Sequence, residues 1–231
     1  MKNILICGSA GGIGKGLTEL FSNNTKFNVI QHYHQKEPEH EGFKIKADIT
    51  NFNEIENMIS SIVDRFKTID ILINTVGISI DGFAHKFSSE IWAKVININL
   101  IGSFNIIRSI LPYMRENKYG RIINLSSVVF QKPVVGTSAY SASKAGLVGL
   151  TRTIALENIS KGITCNCISL GYYNTGILYQ IPEDLREKIR DDIPIKRFGA
   201  IDEIYKTINY LIETEYITGQ IICVNGGLFM I

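Results

Sequence analysis

The sequence predicts an α/β fold, a doubly wound seven-stranded parallel sheet flanked by helices, and two observations lead to this prediction. Short runs rich in Ile and Val recur between longer segments in which apolar residues repeat with a helical period, the pattern of successive βαβ units. The runs contain few polar residues, as expected of strands buried on both faces. The chain has 231 residues, a length that one α/β domain fills, so we expect a single domain over residues 1–231.

The predicted elements follow one another in a regular order. Strands are expected near residues 3–7, 27–32, 43–47, 70–74, 120–126, 163–168 and 220–224. Helices are expected at about residues 13–23, 52–66, 89–117, 138–160 and 201–213. The third helix is expected to break into two pieces near residues 97–100.

Two connections depart from this order. Only residues 34–42, with Pro38 and Gly42, separate the second and third strands, so a crossover helix of about ten or more residues does not fit. We expect a loop or a single turn there. The longest loop-like stretch, residues 171–198, contains two prolines and one short amphipathic piece at 183–191, and is typical of a lid or a substrate-binding loop.

Composition excludes several classes of function. Charged residues make up 20% of the chain and the net charge is +2, so no strong field favours nucleic acid or an anionic membrane. No apolar run approaches the roughly 20 residues of a membrane span, and the first strand starts too close to Met1 for a signal peptide. We therefore expect a soluble cytoplasmic protein whose partner is a small molecule.

The four cysteines, Cys7, Cys165, Cys167 and Cys223, all lie in apolar strand-like runs. None has the paired C-x-x-C spacing of a zinc site, so no bound metal is expected. We expect small buried side chains in a reducing compartment.

A glycine-rich turn, Gly8-Ser9-Ala10-Gly11-Gly12-Ile13-Gly14, follows the first strand and opens the first helix. In this position backbone amides and the positive end of the helix dipole face an anion, and glycine lets a pyrophosphate approach the backbone. The turn therefore predicts a dinucleotide site, with a turn that binds no ligand as the alternative.

Tyr140 and Lys144 are four residues apart at the start of a helical run, which places both side chains on one face. A tyrosine hydroxyl has a reference pKa near about 10, too high for efficient proton exchange at neutral pH. A neighbouring ammonium lowers this pKa by favouring the phenolate. The pair therefore indicates an acid/base catalyst, although the same spacing occurs by chance in many helices.

Further segments repeat the motifs of one known family. Asn74-Thr75-Val76-Gly77 resembles its N-N-A-G, Asn97 to Leu100 its V-N-L segment, and Ser126-Ser127 the end of its fifth strand. Residues 217–220 and 225–227 match its closing I-T-G-Q and D-G-G. With G-x-x-x-G-x-G in the turn and Y-x-x-x-K in the helix, the chain resembles the short-chain dehydrogenase/reductase family over essentially its whole length. Within the family it is most similar to bacterial 3-oxoacyl-[acyl-carrier-protein] reductases.

The resemblance implies a Rossmann-type fold and a catalytic tetrad of Asn99, Ser127, Tyr140 and Lys144. Ser127 lies thirteen residues before Tyr140, which fits the family spacing better than Ser126 does. Ser127 would hold the substrate oxygen, and Tyr140 would give it a proton. Lys144 would bond the nicotinamide ribose and lower the pKa of the tyrosine, and Asn99 would hold a water. The alternative for each is a local hydrogen bond in a helix or at a strand end.

The resemblance also implies a site for NAD(P)(H). Asp48 would bond the adenine amino group, with an ordinary helix N-cap, helped by Thr50, as the alternative. The backbone around Gly171 would hold the carboxamide and the pyrophosphate. The residues expected at the cofactor are Gly8, Ser9, Gly12, Ile13, Gly14, His34, Asp48, Ile49, Asn74, Val76, Gly77, Tyr140, Lys144, Gly171, Tyr173 and Thr175.

Cofactor choice depends on the end of the second strand. Residues 29–36 contain no acid that would bond the ribose 2′-hydroxyl of NAD and repel a 2′-phosphate. Gly11 stands where family members that bind the 2′-phosphate often carry a basic residue. His34 and Lys36 could bind the 2′-phosphate instead, so NADP(H) is favoured and NAD(H) remains an alternative. His32 and His34 could instead form a metal pair, but solvent-facing histidines at the strand end are the commoner case.

The function implied is NADP(H)-dependent reduction of a 3-oxoacyl thioester, bound to acyl carrier protein, in fatty acid biosynthesis. The alternative is a dehydrogenase of a small cyclic alcohol or dihydrodiol, because some such family members share the shortened crossover. The shortened crossover should also leave the adenosine end of the cofactor more open. A non-catalytic cofactor-sensing protein is a third alternative, but it would be expected to have lost Tyr140 or Lys144. The chain departs from the family at Cys7, Thr75-Val76 and Leu170 without losing a reacting group.

Two further expectations concern partners. The helices at about 89–117 and 138–160 carry apolar residues on more than one face, which predicts assembly, and the resemblance to a family whose members pair these helices between subunits implies a homotetramer. These residues are Phe104, Ile107, Leu111, Leu147, Leu150 and Ile154. Lys118, Arg121 and Lys161 are expected to form a basic surface near the site for an acidic carrier protein, with ordinary solvated charges as the alternative.

Overall fold

The structure is a computed structural model that describes residues 1–230, with only the backbone described for Ile177 and Gln180. Seven parallel strands form one sheet in the order β3-β2-β1-β4-β5-β6-β7, which confirms the predicted fold class. The strands are β1 Lys2–Cys7, β2 Phe27–Tyr33, β3 Phe43–Lys46, β4 Ile71–Asn74, β5 Gly120–Ser127, β6 Ile163–Leu170 and β7 Ile221–Val224. The helices are α1 Gly12–Ser22, α2 Phe52–Phe66, α3 Ser89–Ile96, α4 Gly102–Asn117, α5 Ser138–Asn158, α6 Glu183–Asp192 and α7 Ile201–Glu213.

The strand order reverses at β1, and this reversal positions the site. In the ladder Cys7 lies beside His32 of β2 on one side and Asn74 of β4 on the other. Because all the strands are parallel, their carboxyl ends meet at one edge, and a crevice opens there where the order reverses. Gly8 and Thr75, which follow β1 and β4, therefore border this crevice.

Alternate residues of β1 pack into two separate apolar layers. Leu5 and Cys7 belong to a buried cluster with residues of α2, α4 and α5. Ile4 and Ile6 belong to a second cluster, with Phe21 of α1 and residues of α7. Because strands such as β1 are buried on both faces, they read as continuous apolar runs in the sequence. Complete burial of each Ile or Leu side chain contributes roughly 1.5–3 kcal/mol.

The crossover between β2 and β3 contains no helix, as predicted: residues 34–42 form bends and irregular backbone. The edge strand β3 shows the consequence. Its Phe43 and Ile45 pack into the cluster beneath α2. The intervening Lys44, on the opposite face, forms an ion pair at 3.3 Å with Glu37 of the crossover. Polar side chains thus cover the face on which a crossover helix would pack.

The α-helix divides into two pieces, α3 and α4, near residues 97–100 as predicted, although the helical path from Ser89 to Asn117 stays continuous. A π-helical turn, Asn97–Ile101, joins α3 to α4 without interrupting the helix. By length and composition this path could cross a membrane. However, Ile106, Ile110 and Met114 within it are fully buried in the cluster against the sheet.

The segment after β6 and the cysteines agree with the sequence. The amphipathic piece expected at 183–191 is the helix α6, inside the long connection between β6 and α7. All four cysteines are free thiols, and three of them, Cys7, Cys165 and Cys167, are buried. Burial raises the pKa of the Cys167 thiol to about 11, so it is protonated at neutral pH.

Candidate active site

The glycine turn after β1 has the form of an anion cradle. Gly8 has a φ of +84°, and a side chain at Gly14 would collide with the Gly8 carbonyl oxygen, so this turn needs glycine at both positions. Helix α1 begins at Gly12, its N-cap Gly11 offers no side-chain acceptor, and its first turn carries no acid. The first backbone N–H groups of α1 are therefore available to a ligand anion. These residues fit the pyrophosphate of a dinucleotide.

His32 fastens this turn to the sheet, and the expectation of a solvent-facing histidine is wrong. The residue is buried, and both ring nitrogens contact backbone groups, of Gly8 and Ala47. Its carbonyl oxygen also accepts hydrogen bonds from the Ser9 N–H and hydroxyl, at 3.0 and 2.8 Å. With both nitrogens engaged, the ring is not available for a metal pair with His34. Within residues 1–230, no group of three metal-ligating side chains comes together.

Asp48 lies at the adenosine end of the crevice. One oxygen, Oδ1, accepts hydrogen bonds from the N–H and the hydroxyl of Thr50, each at 2.8 Å, and Oδ2 faces His34 Nε2 at 3.7 Å. Burial favours the neutral carboxyl, but the Thr50 hydrogen bonds and His34 hold the pKa of Asp48 below its usual value. The N-cap of α2 is Asn51, so the alternative role of Asp48 as that cap is wrong. Next to it, the Ile49 side chain is buried.

Residues 36–40 of the crossover lie against α1. Together with Ser9, Ala10, Lys15 and Thr18 they enclose a small cavity of about 10 Å³. His34 itself remains half exposed at the rim.

The structure brings Ser127, Tyr140 and Lys144 together at the carboxyl edge of the sheet. Ser127 is the last residue of β5, and its hydroxyl lies close enough to Tyr140 of α5 to act on the pKa of the phenol. Lys144, one turn further along α5, has its Nζ 5.5 Å from the centre of the Tyr140 ring. The same Nζ donates a hydrogen bond to the carbonyl oxygen of Leu125 at 2.8 Å. Two adjacent elements, β5 and α5, thus present a hydroxyl, a phenol and an amine at one point.

The pKa values of this group differ from the expectation that Lys144 lowers that of Tyr140. Burial raises the pKa of Tyr140 to about 12, the neighbouring Ser127 hydroxyl opposes this, and the negative charge of Asp81 adds to it. Burial lowers the pKa of Lys144 to about 8. Lys144, with its pKa near 8, has lost its charge by the pH at which Tyr140 titrates, so it does not offset the effect of burial on Tyr140.

Asn99 is fully buried on the π-helical turn and ties this turn to two neighbours. Its Oδ1 accepts from the Ile78 N–H at 2.9 Å, and its Nδ2 donates to the Ile78 carbonyl at 2.9 Å and to the Ser143 hydroxyl at 3.0 Å. Both amide hydrogens are therefore used within the protein, and the side chain keeps one lone pair of Oδ1 for a water. The adjoining Gly77 lies close to Lys144, since a Cβ built there would be 3.0 Å from Lys144 Nζ.

Asn74, expected at the cofactor, points into the protein. Its Nδ2 donates to the Ser103 hydroxyl at 2.8 Å and to Asn124 Oδ1 at 3.3 Å, and its Oδ1 accepts from the Val76 N–H at 3.3 Å. The side chain therefore shapes the turn after β4. Contact with a cofactor at this turn is left to the backbone and to Val76, which is half-buried.

The loop after β6 meets the glycine turn. The Gly171 N–H and the Tyr173 hydroxyl both donate to the Val224 carbonyl, at 3.1 and 2.9 Å, so the Tyr173 side chain is turned into the protein. The Thr175 hydroxyl lies directly against Gly12. Thr175 and the glycine turn thus border the same space, whereas Tyr173 can offer only its backbone.

The basic residues expected near the site lie elsewhere in the chain. Arg121 is 2% exposed, donates to the carbonyls of Gly120, Gly162 and Ile212, and forms an ion pair at 2.7 Å with Glu215. Lys118 and Lys161 precede β5 and β6, at the edge of the sheet opposite to Ser127. Within one chain their expected placement near the site is wrong, because β5 carries Ser127 at its far end.

Comparisons with known proteins agree with this geometry. A family model described as enoyl-(acyl carrier protein) reductase matches residues 8–229. The 3-oxoacyl-[acyl-carrier-protein] reductase of Staphylococcus epidermidis is 34% identical over 99% of this chain and 99% of its own length. The reductase of the same name from Buchnera aphidicola is 38% identical over 99% and 98%. The acetoacetyl-CoA reductase of Allochromatium vinosum is 38% identical over 98% of both chains. These names all denote reductases, and they differ in the carrier of the acyl group.

Proposed function

Since this chain belongs to the short-chain dehydrogenase/reductase family, whose members are NAD(P)(H)-dependent oxidoreductases, we propose that it reduces a 3-oxoacyl thioester to the 3-hydroxyacyl product. The observation on which this rests is the meeting of Ser127 with Tyr140 and Lys144 beside the glycine turn's crevice. The relatives at 34–38% identity support the substrate class.

The chemistry asked of these residues is proton transfer and charge stabilisation. Reduced nicotinamide, when bound, supplies the hydride for the substrate carbonyl carbon. The Ser127 hydroxyl donates a hydrogen bond to the carbonyl oxygen, where negative charge develops. Tyr140 gives its proton to that oxygen, and Lys144 holds the ribose that orients the nicotinamide. Asn99 supports Lys144 by fixing the segment at Ile78, next to the Gly77 backbone that Lys144 contacts.

The protonation state of Tyr140 suits the role of proton donor in the proposed reduction. With its pKa raised to about 12 by burial, the phenol keeps its proton at neutral pH. A protonated phenol is the form that reduction needs, whereas oxidation of an alcohol needs the phenolate as a base. The protonated phenol at neutral pH therefore supplies the proton that the proposed reduction consumes. Lys144, with a pKa near 8, is largely charged at pH 7 and can donate to a ribose hydroxyl.

NADP(H) is the proposed cofactor, with NAD(H) as the alternative. The residues from Val29 to Lys36 include no carboxylate to bond a free ribose 2′-hydroxyl. His34 and Lys36 stand at the rim on this side. A 2′-phosphate carries up to two negative charges, so it gains from such neighbours more than a hydroxyl does.

A dehydrogenase of a cyclic alcohol or dihydrodiol remains the second candidate, because the crossover after β2 lacks its helix, as it does in some such enzymes. A screen of turnover distinguishes the two. We expect NADPH-dependent reduction of acetoacetyl groups carried on acyl carrier protein or on coenzyme A, which places the enzyme in fatty acid biosynthesis if the carrier protein is preferred. Activity on a cyclic dihydrodiol, with none on any 3-oxoacyl thioester, would assign the second function.

A cytoplasmic homotetramer is the proposed assembly. Helices α4 and α5 pack side by side on one face of the sheet and present apolar side chains outward. Phe104 of α4 is 41% exposed and Leu156 of α5 is 82% exposed, although Ile107, Leu147 and Ile154 are buried within the chain. Exposed apolar residues on neighbouring helices support burial against further copies of this chain.

A further inference from the structure

The shortened crossover places one carboxylate between two ammonium groups beside the glycine turn. Glu39 Oε2 lies 2.6 Å from Lys15 Nζ, on the first turn of α1, and Glu39 Oε1 lies 3.6 Å from Lys36 Nζ. These three residues line the small cavity, of about 10 Å³, together with Ser9 and Ala10 of the turn. A cavity of this size holds about one water and no larger ligand.

One buried polar group that lines the cavity, and another on the strand next to the crossover, have no hydrogen-bond partner among the described residues. The Thr18 hydroxyl lines it, is 1% exposed, and has no hydrogen-bond partner among the described residues. On β2, Gln31 Nε2 donates to the carbonyls of His40 and Glu41 of the crossover, but its Oε1 is also buried without a described partner. Buried polar atoms without partners are uncommon and destabilising. A hydroxyl able to donate thus faces a cavity with two cations at its rim, a combination suited to an anion.

Building on the proposed NADP(H)-dependent function, we propose that Lys15 and Lys36 form the site for the 2′-phosphate of NADP(H), and that Glu39 is an internal competitor which occupies this site in the free protein. The glycine turn fits the pyrophosphate, and Asp48 and His34 mark the adenosine end, so the ribose lies between them and near this cavity. Phosphate is the stronger anion, with up to two charges and three acceptor oxygens against the single charge of Glu39.

Exchange of the two anions is physically accessible. All three side chains of the Lys15, Lys36 and Glu39 group are more than half exposed, and solvent-exposed ion pairs of this kind contribute little stability. The 2′-phosphate can displace the Glu39 carboxylate, which then moves into solvent. NAD(H), which has a hydroxyl in this place, leaves Glu39 where it is. Glu39 therefore narrows the preference for NADP(H) over NAD(H), and is a specificity-determining residue.

The test compares nucleotide affinities by fluorescence and calorimetric titration, with no turnover required. Glu39→Gln is expected to bind NADPH and adenosine 2′,5′-bisphosphate about fivefold more tightly than the wild type, with NADH and ADP unchanged within about twofold. Lys15→Met is expected to weaken both 2′-phosphorylated ligands about tenfold and to leave NADH and ADP unchanged. Glu41→Gln is the matched control, because it removes the same charge from the same segment but does not line the cavity.

Each outcome bears on the proposal. An unchanged ratio of NADPH to NADH affinity in Glu39→Gln would overturn it, as would an equal gain in Glu41→Gln, which would indicate a general effect of net charge. Weaker NADH binding by Glu39→Gln would make Glu39 a ligand of the ribose hydroxyl and would also overturn it. A protein that shows the expected affinities but reduces no thioester would refute the proposed substrate and leave the role of Glu39 standing.

Discussion

His32 joins Gly8 to Ala47 through its side chain. Its Nδ1 lies 3.3 Å from the Gly8 nitrogen, and its Nε2 lies 3.1 Å from the Ala47 carbonyl oxygen. A carbonyl oxygen only accepts and a backbone N–H only donates, so the proton is on Nε2 and the ring is neutral. Burial lowers the pKa of His32 to about 4. One imidazole thus connects the turn that fits the pyrophosphate to the end of β3, where Asp48 follows.

This connection predicts weaker cofactor binding when it is removed. We expect His32→Leu to raise the Kd for NADPH about tenfold, because the Gly8 turn and the Ala47 carbonyl lose the group that holds them in place. The Kd of His32→Gln should lie between those of the wild type and His32→Leu, because a glutamine can still donate to one of these groups. At saturating cofactor kcat should change little, since Ser127 and Tyr140 are untouched. Equal losses in kcat and affinity would contradict a positioning role and indicate general disorder.

The same residue predicts a loss of stability in acid. In the unfolded chain the pKa of His32 is near the reference value of about 6.5, and in the fold it is about 4. Between these values the unfolded state binds more protons, so the contribution of His32 to stability is complete above about pH 6.5 and is lost as the pH falls to about 4. The loss amounts to at most about 3 kcal/mol. The free energy of unfolding, measured with urea at several pH values in this range, should depend less steeply on pH in His32→Gln than in the wild type. The same dependence on pH in both proteins would contradict the prediction.

Lys144 is predicted to lower the stability of the folded protein. Its pKa is about 8 in the fold, below its ordinary value of 10.5, so burying its charge is unfavourable. The cost is complete below about pH 8 and disappears as the pH rises towards 10.5. At pH 7 the free energy of unfolding of Lys144→Met, measured with urea, should therefore exceed that of the wild type by about 1–3 kcal/mol. The increase should be smaller at pH 10. Lys94→Met, at an exposed lysine, is the control. If the increase in unfolding free energy of Lys144→Met were as large at pH 10 as at pH 7, or larger, the argument would be refuted.

Much of this architecture could be predicted from the sequence because it depends on local periodicity. Apolar runs buried on both faces identify the parallel strands, and the nine residues from His34 to Gly42 are too few for a helix. The spacing of Tyr140 and Lys144 places them on one helix face wherever the helix lies. Relations of this kind need only the chain itself.

Other features depend on tertiary surroundings that periodicity does not encode. A π-helical turn at Asn97 keeps the helix continuous, although the polar residues there resemble a break. The burial of His32 follows from its neighbours Gly8 and Ala47, which are remote in sequence. Desolvation sets the pKa of Tyr140, and its extent is known only once the site is folded.

The exposed apolar faces predict that assembly is sensitive to charge. Leu156→Asp would place a carboxylate on the outer face of α5, which should be buried between copies of the chain. We expect dissociation of the tetramer into smaller species, seen by light scattering at micromolar concentration. Leu185→Asp, at another exposed apolar position, on α6, is the control and should leave the mass unchanged. A wild-type protein that is monomeric under these conditions would refute the proposed assembly.

Tyr140 is predicted to be the proton donor, and this is best tested by substitution together with pH. Tyr140→Phe keeps the ring but removes the proton, so kcat for thioester reduction should fall on the order of 10²–10⁴, while the Kd for NADPH changes little. Tyr172→Phe, which alters a half-buried neighbour, is the control, and its kcat should fall far less. Because the pKa of Tyr140 is raised to about 12 by burial, the phenol is present throughout the neutral range and reduction should be independent of its ionisation there. Oxidation of the hydroxyacyl product needs the phenolate, so its rate should rise about tenfold per pH unit. Near-normal reduction by Tyr140→Phe, or oxidation that is flat with pH, would remove Tyr140 from this role.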